Sequence, residues 1–262
     1  MTRFERRADK FMTKTTKSLS ILAVAGFLMA LAATVAGILA GPTYRFDLLS
    51  LREAFNLLRW AAYGGAAGGV VCILGLIHAR PGSPRKGFWL ALVGLLIGAA
   101  VFWLPFSQQR AARSVPPIHD ITTDTSNPPE FRAVLALRAD GGNNPAYGGE
   151  SVARQQHAAY PDIRPARFAA AADKVFSAAL DTARGMGWRI VTSVPDQGRI
   201  EAVDTTFWFG FRDDVVIRVT DSNGGTRVDL RSASRVGVSD IGTNARRIRR
   251  FLSSLRSRVG DT

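Results

Sequence analysis

The sequence predicts three N-terminal transmembrane helices followed by an α+β two-layer domain, with an antiparallel sheet of about four strands and two helices on one face. Three apolar runs, each close to the roughly 20 residues that cross a bilayer, lie within residues 1–114. Four runs of alternating apolar residues follow within residues 165–258, as in a sheet that is covered on one face. Apolar stripes at helical spacing precede and follow those strands.

The net charge of +13 lies mostly in the apolar half. Residues 1–114 contain 14 Lys and Arg against 4 Asp and Glu, a charge of +10, whereas residues 115–262 contain 20 against 17, a charge of +3. Basic residues that flank apolar runs are typical of membrane topology rather than of phosphate binding. The sequence therefore predicts no nucleic-acid partner. The one cysteine, Cys72, excludes an intrachain disulfide and a cysteine-rich metal cluster, and no cofactor is predicted.

The membrane anchor is predicted within residues 1–114, with spans at about 19–41, 57–79 and 88–106. Ser50 and Glu53 form a capping box before a short amphipathic lead-in to the second span. The first run also fits a signal peptide, with "ATVA" as a cleavage site, and that alternative stays open. Small-xxx-small glycine pairs in the second and third runs suit close packing, either within one chain or in a homo-oligomer.

The distribution of basic residues in the loops predicts the orientation of the chain. The tail before the first span carries six basic residues against Glu5 and Asp9, and the link 80–87 carries three basic residues and no acid. The positive-inside rule places both in the cytoplasm. Since the number of spans is odd, residues 115–262, including Thr262, are expected outside the cytoplasm, on the periplasmic side of an inner membrane.

The outward domain is predicted within residues 115–262. Residues 115–162 have weak periodicity and many turn residues, so we expect them to wrap over the domain as an extended segment. A helix with an apolar stripe from Phe168 to Ala183 is followed by four strands, and "DSNGG" is a strong hairpin signal between the last two. A closing helix carries an apolar stripe from Ile241 to Leu255.

Three separated motifs, "IHDITTD", "RIEAVDTTFWFGFRDDVVIRV" and "VDLRSASRVGVSDIGTNARRI", resemble the uncharacterised family known as domain of unknown function 1499. The resemblance covers roughly residues 115–258. It implies this domain and its membrane setting, because members often carry spans before the domain. The resemblance does not imply any enzymatic reaction for this chain.

Polar residues gather where the last strand passes into the closing helix, and their density makes this junction the candidate site. Its candidate residues come from the junction and from the upstream "IHDITTD" segment; they are His119, Asp120, Thr123, Asp124, Arg231, Ser232, Ser234, Arg235, Ser239, Asp240 and Asn244. Arginines beside a helix N-terminus can bind an anionic ligand, but we favour the interpretation that they fasten the wrapping segment through its carboxylates. We expect segment 119–124 to dock on this junction, with coupling between Asp124 and Arg235. Ser239 or Asp240 is expected to cap the closing helix.

Other candidates have weaker signals. His119, Asp120 and Asp124, with Asp213 and Asp214, are suitable metal ligands, but Asp213 and Asp214 also fit a solvated turn. "GVSDIG" lacks the second glycine of a nucleophile elbow. "TTFWFGF" offers either core packing or an apolar patch for lipid, ligand or partner, and the arginines of the closing helix suit either anionic headgroups or a solvated face.

The sequence therefore predicts a multi-pass inner-membrane protein whose outward domain binds an envelope component, either a lipid-like ligand or a partner protein, without catalysis. The alternative is an envelope hydrolase or metal-dependent enzyme that uses the segment from His119 to Asp124.

Overall fold

The computed structural model describes residues 18–138, 142–222 and 224–260. The basic tail 1–17, Asn223 of the predicted hairpin turn and Thr262 lie outside the described residues. The chain divides into two compact units, Met1–Gln108 and Gln109–Thr262.

Three apolar helices build the N-terminal part: α1 (Ile21–Arg45), α2 (Leu51–His78) and α3 (Phe88–Arg113). Each is long and apolar enough to cross a membrane, as predicted. The expected lead-in before the second span is continuous with that span, so that α2 begins at Leu51. The Ser50–Glu53 capping box is present and supplies partners for the first free N–H groups of this longer helix.

The start of α1 and the link between α2 and α3 lie at the same end of this unit. A short strand β1 (Ser18–Leu19) pairs in parallel with β2 (Arg85–Lys86), and the Ser20 amide donates to the Lys86 carbonyl at 2.8 Å. The buried Ser20 hydroxyl accepts from the Ala23 amide and caps α1. The basic link therefore lies beside the residues that follow the basic tail.

Glycines of α2 and α3 let the helix backbones approach within the single chain. A Cβ added at Gly68 would lie 2.9 Å from the backbone nitrogen of Ala30 in α1. A Cβ added at Gly65 would lie 2.9 Å from the carbonyl oxygen of Gly98 in α3. These are the small-residue pairs that the sequence assigned either to one chain or to a homo-oligomer, and their contacts here are within the chain.

Replacing Gly68 by leucine should destabilise this helix packing by about 1–3 kcal/mol, because the side chain would overlap the α1 backbone. Ala67→Leu is the matched control, since Ala67 is exposed one position earlier on the same helix. Thermal unfolding of both variants in detergent measures the effect. Equal unfolding temperatures for the two variants would show that the glycine contact does not hold the helices together.

The C-terminal unit contains one antiparallel sheet of six strands. Their bounds are β3 (Asp120–Thr122), β4 (Ala166–Phe168), β5 (Arg189–Val194), β6 (Arg199–Thr205), β7 (Arg212–Ser222) and β8 (Gly225–Ser234). The order is β3-β8-β7-β6-β5, and β4 pairs with the other end of β8. The four predicted strands are β5 to β8. The other two have three residues each, which is too short to show an alternation by itself.

Two helices cover one face of the sheet, which confirms the predicted α+β class. They are α5 (Ala172–Gly185) and α6 (Thr243–Val259), and both pack in one core with Val215, Ile217 and Leu230 of the sheet. The predicted stripe began at Phe168, but Phe168 belongs to β4. Residues Ala166–Phe168 pair with the edge of β8 that β7 does not occupy. Because of this strand pairing, the helix does not begin at Phe168, although the spacing of the apolar residues is helical.

Residues 115–162 contain more regular structure than their weak periodicity indicates. Besides β3 they form a 3-10 helix at Ala133–Leu137 and the helix α4 (Gly149–Ala159). The buried Gln156 of α4 binds the backbone of Thr122 twice, accepting from its amide at 3.0 Å and donating to its carbonyl at 2.7 Å. A side-chain amide thus completes the outer edge of β3, and this contact positions a helix that has little apolar surface of its own.

Candidate functional site

The candidate residues are divided between the two faces of β8, because successive strand residues point to opposite faces. Ser232 and Ser234 point towards α5 and α6, whereas Arg231 and Arg235 point to the other face. That second face is covered by residues 123–138 and 142–147, which we call the strap. Phe131 and Val134 of the strap pack on the sheet there.

Arg231 is the centre of the strap face. Its guanidinium forms a two-point ion pair with Asp120, with Nε–Oδ1 at 3.0 Å and Nη2–Oδ2 at 2.7 Å. The two side chains are only 4% and 6% exposed. The remaining donors reach the carbonyls of Pro129 and Pro145 in the strap, and the guanidinium lies 4.5 Å from the ring centroid of Phe131. A buried guanidinium is thus satisfied by β3 and by two parts of the strap.

Asp124 pairs with arginines other than the one expected. Its carboxylate accepts from Arg227 at 2.7 Å and from Arg218 at 3.2 Å, and both arginines also bind Asp229. Thr123 donates to Asp229 and accepts from the Leu230 amide. The expected coupling of Asp124 to Arg235 is therefore wrong. Arg218 and Arg227 lie towards the start of β8 in the sheet register, while Arg235 follows its other end.

Arg235 instead binds Asp214, with Nη2–Oδ1 at 2.6 Å, and Arg138 of the strap binds the same carboxylate at 2.8 Å. Both Asp213 and Asp214 are buried in β7. The prediction of a solvated turn at these two aspartates is wrong, because the strand begins before them and arginines on each face compensate their charge.

The helix face of the junction is a second closed network, centred on Asn244. Its amide donates to the Ser234 hydroxyl at 3.0 Å and to the His119 carbonyl at 2.9 Å, and its oxygen accepts from Ser232 at 2.7 Å. Arg247 also donates to that oxygen, and it binds Asp213 and Asp204 at 2.6 and 2.8 Å. The sequence predicts that the arginines of the closing helix face headgroups or solvent, but Arg247 is buried.

The N-cap position of α6 is Gly242, not Ser239 or Asp240 as expected, but the Asp240 side chain binds an amide of the first helical turn. Its carboxylate accepts from the amides of Gly242 and Asn244, whereas Ser239 accepts only from Ile241, ahead of the helix. Ile241 and Gly242 have φ values of +52° and +72°, and this left-handed pair turns the chain between β8 and α6. Burial raises the pKa of the Asp240 carboxyl, the charge of Asp213 adds to the effect, and the two amide donors oppose it.

The histidine and the carboxylates of the "IHDITTD" segment do not converge on one site. Among the residues that the structure describes, no group of three or more His, Cys, Asp or Glu side chains is placed to hold a metal ion. His119 contributes its carbonyl to the junction, and His157 shares a 2.8 Å hydrogen bond with Thr125. Asp120 and Asp124 are bound to arginines. Within the described residues, the metal or hydrolytic site predicted at His119–Asp124 therefore has no converging ligands, and its two carboxylates are occupied by arginines.

A groove of about 340 Å³ lies between strap residues 127–132 and the strands β6 and β7. Arg199, Arg218 and Val216 form its sheet side. Nε and Nη1 of Arg199 are buried, and neither has a hydrogen-bond partner within the described structure. The nearest carboxylate belongs to the buried Glu201, 3.5 Å from Nε, and its other oxygen accepts from the amides at the start of the 3-10 helix.

The strap-covered sheet and its two helices form a C-terminal domain in a chain whose three apolar helices define it as a multi-pass membrane protein. The chain belongs to the family described as Protein of unknown function (DUF1499), whose model matches residues 120–255. The resemblance of its motifs to this family is thereby confirmed. None of the curated proteins compared with the chain matches it.

Sequence reasoning did not identify Glu201, Asp204, Arg199 or Arg247 as members of a polar cluster. Arg199 and Glu201 alternate with Ile200 and Ala202 in β6, a signal that places them on the strap face but does not show what they meet there. α6 contains six arginines, and the sequence does not distinguish Arg247 from the other five. It is distinguished only in the folded chain, where it binds the buried Asp213.

Removing either partner of the buried pair, in Asp120→Ala or Arg231→Ala, should destabilise the C-terminal domain by about 3–5 kcal/mol, because the other charge stays buried. The double variant should cost less than the sum by at least about 1.5 kcal/mol. Native-state hydrogen exchange of the β8 amides measures both. Glu130→Ala is the control, since Glu130 and Arg132 are 75% and 61% exposed and should contribute less than about 1 kcal/mol. Strictly additive effects at residues 120 and 231 would contradict the pairing.

Asp240→Asn should change the pH dependence of stability. Because the folded-state pKa of Asp240 is raised, the native domain holds this proton more tightly than the unfolded chain, and ionisation costs stability as the pH rises. The asparagine does not ionise. We expect the wild-type advantage over the variant to fall from about pH 4 upwards and to level off once Asp240 is ionised. Denaturant unfolding of both proteins across this range measures the difference, and a difference that grows with pH would contradict the assignment.

Proposed function

We propose that this chain is an inner-membrane binding protein whose C-terminal domain lies outside the cytoplasm and binds an envelope component, lipid-like or protein, without catalysis. The orientation follows from the basic residues at one end of the helical unit. The link 80–87 has no acid and lies beside the start of α1, and the positive-inside rule assigns such an end to the cytoplasm.

The proposal of binding rather than catalysis rests on how the carboxylates of the domain are used. Asp120, Asp124, Asp213 and Asp214 are all held by arginines at 2.6–2.8 Å. A general base or a metal ligand needs an oxygen that can reach the substrate or the metal. These oxygens would have to leave a buried ion pair first, so the hydrolase alternative has no specific support.

The observation that carries the proposal is Arg199 in the groove. Arg199 lines the groove, and its Nε and Nη1 donate no hydrogen bond within the described residues, although Nε lies in an ion pair with Glu201. They are donors of a permanently charged group, and an oxyanion or a carbonyl oxygen of a ligand would satisfy them. Strap residues Pro128 and Pro129 form the opposite wall and have no amide N–H that would compete for the ligand. An acidic headgroup or an acidic protein side chain fits this chemistry.

The experiment is affinity purification of the full chain from detergent-solubilised membranes, followed by lipid and protein mass spectrometry. A component that depends on the groove should be recovered roughly 10-fold less with Arg199→Gln, since a charge-assisted hydrogen bond contributes about 1.5–3 kcal/mol. Arg189→Gln is the matched control, because Arg189 is an exposed arginine of β5 outside the groove. Equal recovery with wild type and both variants, or turnover of the captured component, would overturn the proposal.

A further inference from the structure

A second groove, of about 800 Å³, lies beside the helix α5, next to the turn that joins β5 to β6. Phe176 and Leu180 of α5 and Val219 of β7 form its apolar floor. Phe176 and Val219 also belong to the core between the helices and the sheet. The floor is therefore fixed by the packing of the fold itself, and the groove needs no rearrangement to receive a ligand.

The rim of this groove is acidic, and we call it the acidic groove. Four exposed aspartates from three elements line it: Asp173 and Asp181 of α5, Asp196 of the β5–β6 turn and Asp221 of β7. Among the described residues that line it, Arg184 is the one basic residue, and it lies 3.6 Å from a carboxylate oxygen of Asp181. Four carboxylates against one guanidinium give the groove an excess of negative charge, although the whole chain has a net charge of +13.

Three of these aspartates differ from nearly all other carboxylates of the C-terminal unit. Within the described part of that unit, the Asp and Glu side chains that form no ion pair are Asp173, Asp196, Asp221 and Asp240. Asp240 is bound to amides at the start of α6. The other three all line the acidic groove, so that carboxylates without a cation converge there in a chain rich in arginine. A convergence of uncompensated charge attracts a ligand of the opposite sign.

The arrangement of the rim favours an extended cation over a metal ion. Among the described residues, no three His, Cys, Asp or Glu side chains are close enough together to hold a metal. The carboxylates are instead spread around an apolar floor. A protein segment with lysine or arginine on both sides of an apolar side chain matches both features, since its charges meet the rim and its apolar group covers the floor.

We propose that the acidic groove binds a basic segment of a partner protein, with an apolar side chain of that segment on the floor. Gln197 lines both this groove and the Arg199 groove. The two grooves nevertheless have opposite charge, because the Arg199 groove is also lined by Arg132 and Arg218. A ligand that one groove attracts is repelled by the other, so this inference is independent of the function proposed for Arg199.

The test uses the full chain in nanodiscs of phosphatidylcholine, and the probe is the peptide KKLKK with a neutral fluorophore. Fluorescence anisotropy measures its dissociation constant, and empty nanodiscs give the background. The peptide EELEE reverses the charge, and KKSKK keeps the charge but removes the apolar side chain. We expect KKLKK to bind at least about tenfold more tightly than EELEE and about fivefold more tightly than KKSKK, because only KKLKK satisfies both the rim and the floor.

The double variant Asp196→Asn with Asp221→Asn should weaken KKLKK binding by about threefold to tenfold, since it removes two exposed rim charges and leaves the core intact. Glu150→Gln with Asp162→Asn is the matched control, because it removes the same charge from side chains outside the groove that are 86% and 53% exposed. This control should leave the affinity unchanged.

Equal losses with the two double variants, or equal affinity for KKLKK and EELEE, would overturn the proposal. So would equal affinity for KKLKK and KKSKK, because binding would then need the charge but not the floor. Arg199→Gln should leave KKLKK binding unchanged even where it abolishes capture of an envelope component, which separates the two proposals. Loss of KKLKK binding with Arg199→Gln would place the peptide in the other groove and contradict this one.

Discussion

The buried ion pair between Arg231 and Asp120 is the contact on which the arrangement of the C-terminal domain depends. Arg231 lies in β8, which pairs with β7 on one side and with β3 and β4 on the other. A guanidinium in that position cannot be left without acceptors, since the cost of burying an unpaired charge is several kcal/mol. Asp120 brings β3 to the sheet edge, and the carbonyls of Pro129 and Pro145 bring the strap over the face.

Strand β8 links the two faces of the sheet, because its successive side chains point alternately to the strap and to the helices. Arg231 and Arg235 hold the strap, while Ser232 and Ser234 meet Asn244 under the closing helix. Because the His119 carbonyl also binds the Asn244 amide, the segment that enters the domain is attached to the first strand, the last strand and the last helix together. The polar density of the junction is therefore explained by fastening, which uses nearly every donor that it supplies.

The sequence by itself determined the three apolar helices, the α+β class, the four long strands and the helix stripes, because these depend on local periodicity and length. It did not determine β3, β4 or α4, which are too short or too polar to form without partners elsewhere in the chain. Nor did it determine which arginine meets which carboxylate. Asp124 is 103 residues from Arg227 and 94 from Arg218, and only the sheet register brings it to them rather than to Arg235. Charge pairing across such separations is decided by the tertiary structure, since any of several arginines would satisfy the same carboxylate.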